Sequence, residues 1–98
     1  MIILKFSEFN SNENLAIIPG DSDKTTDAQI LRTAIEAELD AINLYEQMSE
    51  SAKSDKIKKT LLDISREEKI HIGELQALLL EIDEEQVDGL KDGKKEVE

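Results

Sequence analysis

Three side chains able to hold a metal occupy positions where helical periodicity calls for hydrocarbon: Glu38, Glu68 and His71. Glu38 falls seven residues from both Leu31 and Tyr45, and three or four from Ala34, Ile35, Ala41 and Ile42. A helix therefore aims it at the middle of an apolar stripe. Leu61, Ile64, Ile72 and Leu75 surround position 68 in the same way, and His71, the one histidine of the chain, follows a turn later. An ionised carboxylate among apolar side chains costs several kcal/mol unless it is paired or coordinated. No basic residue falls at that level: Arg66 and Lys69 project from other faces of their helix, and Arg32 lies near the beginning of the preceding one. A metal ion is the simplest compensating partner. Carboxylates mixed with imidazole suit iron, manganese or zinc better than calcium, which prefers oxygen alone.

The elements that must position these groups are legible from the same periodicity. Thr26, with Gln29 three residues on, reads as a capping box opening a first helix, along which Ile30, Leu31, Ala34, Ile35, Ala41, Ile42, Tyr45 and Met48 recur at helical spacing. The polar run SESAKSDK interrupts it, and Ser51 or Ser54 can cap a second helix carrying Ile57, Leu61, Ile64, Ile72, Leu75, Leu78, Leu79 and Ile82. The fold class is all-α, an antiparallel two-helix hairpin. With its turn centred near Lys53, Glu38 and Glu68 are each fifteen residues from the centre and come to one height. The hairpin domain spans residues 26–90, with a short weak helix around Val87 to Leu90. Residues 1–25, rich in asparagine and broken by Pro19-Gly20, read as a flexible arm, and residues 91–98 as a frayed tail punctuated by Gly89 and Gly93.

Composition narrows the partners. Ninety-eight residues hold one small core at most, which makes self-association an expectation from the outset. The 23 acidic against 12 basic residues, a net charge of -11, repel phosphate backbones, so neither nucleic acid nor an anionic membrane is an expected partner. Cations are. With no cysteine there is no disulfide, thiolate ligand or thiol nucleophile. MIILKF is too short an apolar run for a signal peptide or a membrane span, so a soluble, cytoplasmic protein is expected.

Other residues near the three have weaker claims. Tyr45, one heptad from Glu38, fits the core first and a place beside the metal second. Glu36 and Asp40 are candidates for drawing cations towards the site, against the simpler reading of a solvated helix face.

Di-iron carboxylate bundles take one glutamate from each of two helices and a Glu-x-x-His pair from each of the other two. This chain supplies one of each. Two copies about a twofold axis complete both a four-helix core and a two-metal site. AELDAINLYEQM, followed thirty residues later by EEKIHIGEL, resembles the encapsulated ferritins, two-helix ferritin-like proteins housed in encapsulin shells, over about residues 28 to 90. The resemblance implies a half-ferritin hairpin that dimerises into a ferritin-like four-helix bundle. It implies that Glu38, Glu68 and His71 are ferroxidase ligands for a di-iron centre cycling between Fe2+ and Fe3+. It further implies homodimers that build a ring, a decamer by resemblance, and an encapsulin shell as partner and compartment.

Two features depart from that family. Ala37 stands where some members carry a further metal-binding glutamate, which puts such a secondary site in doubt. The end KDGKKEVE is unlike the short apolar tail by which stand-alone members dock to a shell, and it fits better the amino-terminal domain of a fusion with the shell protein; MIILKF is another candidate for docking. Two rival readings accompany the ferroxidase: a helical assembly module whose polar residues fix register around a structural metal, and another di-metal enzyme such as a peroxidase or a manganese protein.

Overall fold

The computed structural model describes residues 24–98, with side-chain environments from residue 26 onward. The readings made on residues 1–23, including the arm, LAIIPG and MIILKF, lie outside the described residues. Three helices follow one another: α1 over Lys24–Ser51, α2 over Asp55–Ile82 and α3 over Glu84–Val97. No strand occurs among the described residues.

The first two helices form the expected antiparallel hairpin. Its turn is Ala52, Lys53 and Ser54, centred where the sequence places it. Ser54 takes extended backbone angles, φ -82° and ψ 129°, and its Oγ accepts the Ile57 N–H at 3.2 Å, satisfying a backbone donor that the start of a helix leaves open. The other end of the loop closes as Ala52 N–H donates to the Met48 carbonyl at 3.0 Å. Helix α1 begins at Lys24, three residues before the first helical position that a Thr26 cap requires, so Thr26 lies within its first turn and is buried. Asp27 in the first turn complements the positive end of the helix dipole.

The seam between α1 and α2 is made of Ala28, Ala41, Ile42, Tyr45 and Ser49 on one side and Ser65 and Leu79 on the other, all buried. Small residues recur there, and they let the helix axes approach closely. Ser65, 2% exposed, satisfies its hydroxyl by donating to Glu46 Oε2 at 3.4 Å. Four residues of the expected stripes are not covered: Ile30, Met48, Ile57 and Leu78 are 49%, 38%, 53% and 51% exposed. Periodicity identifies a face that avoids water, but a single hairpin has only one seam in which to bury it. Ile57 also lies beside the loop, where the facing helix has just begun to turn away.

The carboxy-terminal helix is much longer than the single turn around Val87 to Leu90, and the segment expected to fray is helical to Val97. Glycines at 89 and 93 each disfavour helix by about 1 kcal/mol relative to alanine. Capping and charge offset them. Asp83 Oδ1 accepts the Gln86 N–H at 3.0 Å, Glu84 and Glu85 occupy the first turn, and Lys94 and Lys95 the last. Glu98 N–H donates to the Lys95 carbonyl at 3.2 Å, and Lys94 pairs with Glu98 at 3.8 Å.

Candidate metal centre

Glu38 projects from the middle of α1, and Glu68 and His71 from the middle of α2. The hairpin brings all three together: each offers one donor atom, and these atoms lie within 4.8 Å of one another. His71 Nδ1 is 3.3 Å from Glu38 Oε2 and 3.4 Å from Glu68 Oε1, so one ring nitrogen faces both carboxylates. The Glu68 to His71 contact follows from the three-residue offset on one helix, whereas the Glu38 contact depends on the register of the hairpin.

The site is sheltered unevenly. The side chains of Glu38 and Glu68 are 20% and 13% exposed, while that of His71 is 46% exposed. The expectation that all three sit inside is met for the carboxylates and not for the ring, which occupies an edge of α2. Leu78, one heptad further, shares that edge and is itself half exposed.

Glu38 Oε1 is fully buried with no hydrogen-bond partner among the described residues. Such an atom bears a desolvation cost with nothing to offset it. Neither Glu38 nor Glu68 pairs with a lysine or arginine among the described residues; Lys69 instead reaches Glu46 at 3.4 Å. Ligands about 2.1 Å from a common ion at adjacent positions stand roughly 3.0 to 3.4 Å apart, which the His71 to Glu38 and His71 to Glu68 separations match. Two carboxylates, an imidazole and an orphaned buried oxygen therefore fit a transition-metal ion.

Tyr45 is buried on the seam two turns from Glu38, and burial raises its phenol above the usual value of 10.0. Glu36 and Asp40 are exposed and stand outside the group of three. Glu36 instead lines a groove at the far end of the hairpin with Arg32, Ile35, Gln76, Leu79, Gln86 and Leu90. The sequence reading left out the polar contacts made there. Arg32 pairs with Asp83 and also donates from Nε to Gln86 Oε1 at 3.4 Å. The usable signal was D-x-x-Q at 83–86, a capping pattern just after the apolar period of α2 ends.

The Rubrerythrin family model matches residues 29–98. The chain belongs to that family. Within it, the chain is similar to the ferritin-like-encapsulin shell fusion protein of Pyrococcus furiosus, with 59% identity over 69 residues. That match covers 70% of this chain and 20% of the relative, so the chain spans about a fifth of the fusion's length. Among solved structures, the encapsulated ferritin domain from Pyrococcus furiosus superposes with a TM-score of 0.78 at 51% identity, covering 88% of each chain. The all-α hairpin of this Rubrerythrin family member is therefore a ferritin-like fold of the encapsulated ferritin type, consistent with an iron-related function. No described helix is long and apolar enough to cross a membrane.

Proposed function

We propose that the chain is a ferroxidase that takes up Fe(II) as substrate and releases it as Fe(III), with O2 or peroxide accepting the electrons. The observation that carries this reading is the Glu38, Glu68 and His71 constellation, with one Glu38 oxygen buried and unpartnered. Three donors per chain are half of the ligand set of a di-iron carboxylate bundle. Two chains about a twofold axis supply four carboxylates and two imidazoles, and the exposed edge bearing His71 and Leu78 is the face that pairing covers.

In this reading each residue has a distinct task. Glu68 and His71 ride on one helix and hold a fixed mutual spacing, while Glu38 comes from the other and closes the site. The carboxylates provide four negative charges per pair of chains, matching the charge of two Fe(II) ions, and the aliphatic surroundings exclude water and strengthen that attraction. Tyr45 packs the seam two turns from Glu38. Iron supplies the one-electron chemistry, and the protein fixes spacing and leaves coordination positions open.

The fusion relative links a ferritin-like domain to an encapsulin shell. By that likeness we take the shell protein as partner and the interior of a cytoplasmic encapsulin compartment as location, with dimers joining into a ring as large as a decamer.

Oxygen consumption after anaerobic Fe(II) loading tests the activity. Wild type is expected to consume oxygen rapidly in proportion to added iron, and His71→Ala not to. Tight iron binding with neither oxygen nor added peroxide consumed overturns the ferroxidase reading in favour of a structural metal. Uptake of peroxide with manganese bound favours another di-metal enzyme.

A further inference from the structure

We infer that Arg32 is a latch that sets the direction of α3 relative to the hairpin. One residue outside regular helix, Asp83 with φ -133° and ψ 88°, separates α2 from α3, so the chain bends about a single hinge. The Asp83 carboxylate has two tasks at once. Its Oδ1 accepts the Gln86 N–H at 3.0 Å and so caps α3, while its Oδ2 meets the Arg32 guanidinium of α1.

Gln86 stands three residues after the cap, where a capping box would turn its side chain back onto the Asp83 backbone N–H. Here its Oε1 accepts from Arg32 Nε instead, at 3.4 Å. The guanidinium fork thus spans both ends of the first turn of α3, fixing a direction as well as a point. The Asp83 side chain is only 17% exposed, so its carboxylate needs a donor, and Arg32 provides it from outside the helices that Asp83 joins.

Among the described residues little else holds α3 in place. Every residue from Asp88 to Glu98 is exposed, and Leu90, facing the groove beside Leu79, is 44% exposed. A helix anchored at its first turn and free beyond it behaves as a lever whose angle the anchor decides. The latch is independent of the metal ligands, which lie elsewhere on both helices.

The test exploits the absence of cysteine, since introduced thiols are then the only labelling sites. Nitroxides are attached at Gln29→Cys on α1 and Lys95→Cys on α3, and labelled chains are diluted into an excess of unlabelled protein so that only distances within a chain are read by pulsed electron paramagnetic resonance. Wild type should give one narrow distance distribution. Arg32→Ala should broaden it severalfold with unchanged helical circular dichroism, because the Asp83 cap remains. Arg32→Lys, a point charge that cannot bridge both acceptors, should give an intermediate width. If Arg32→Ala loses helix, Asp83→Ser keeps a capping oxygen but removes the carboxylate that meets Arg32, and its distribution is read instead. A distribution as narrow as wild type in the well-folded variant overturns the latch and assigns the direction of α3 to the Leu79 and Leu90 contact.

Discussion

Glu38 is the residue at which the apolar stripe and the proposed ligand set conflict, and its buried oxygen has no partner among the described residues to resolve the conflict. Replacing Glu38, Glu68 or His71 by alanine removes a donor, and each variant should lower the iron-dependent oxygen uptake rate by at least about 100-fold, the upper range of effects seen on removing mere supporting groups around metals. Glu74→Ala, at an exposed position outside the group of three, should leave the rate unchanged, and an inactive Glu74→Ala would mean the phasing of α2 is wrong. Tyr45 gives a pH-dependent expectation. Because burial raises its pKa, the folded state favours the neutral phenol; that stabilisation is complete below the unfolded value near 10.0 and is lost as pH rises through the folded value. Tyr45→Phe should therefore lose less stability than wild type between about pH 9.5 and 11, measured by urea unfolding at each pH. At this scale the three donors were legible because a charged residue within an apolar period violates a strict pattern. The half-exposed ring of His71 was not, since periodicity reports which face a residue occupies and not whether anything covers that face.

The elements differ in how openly they are written. The hairpin follows from long periods and a polar interruption, and Ser54 does what its type and place suggest. Ser54→Ala should cost about 1 kcal/mol in unfolding free energy, the usual value for a lost cap. Helix α3 was read as one turn because two glycines and a run of charges hide its period. Its stability comes from charge order along the helix, acidic first and basic last, and from a contact with Arg32 far away in sequence. A Cβ built at Gly89 or Gly93 meets nothing within 4 Å. Gly89→Ala and Gly93→Ala should each stabilise α3 by up to about 1 kcal/mol, seen as slower amide exchange across residues 88–97. Unchanged exchange would mean that neither alanine stabilises α3 against unwinding.

For the whole molecule, a radius of gyration of 16.2 Å exceeds the roughly 12 Å of a compact chain of this length. Half-exposed apolar side chains lie on every helix, among them Leu39, Leu62, Ile70 and Leu90. In the proposed pairing of two hairpins, four partly buried glutamates come together, and without a cation their repulsion and desolvation oppose association. Metal binding free energy then becomes association free energy. Light scattering at fixed protein concentration should show anaerobic Fe(II) shifting wild type to larger species. Glu38→Ala should assemble without iron, since two of the four charges are gone; an assembly state indifferent to metal in wild type would remove this linkage. The proposed division of the ligands between two chains would also dictate a rate law. Among the described residues each hairpin brings together one such group, Glu38, Glu68 and His71, so below the dimer dissociation constant the initial velocity should rise with the square of protein concentration, and above it linearly. An enzyme complete in one chain is first order at every dilution; this one should lose specific activity when merely diluted, and regain it inside any compartment that crowds its copies together.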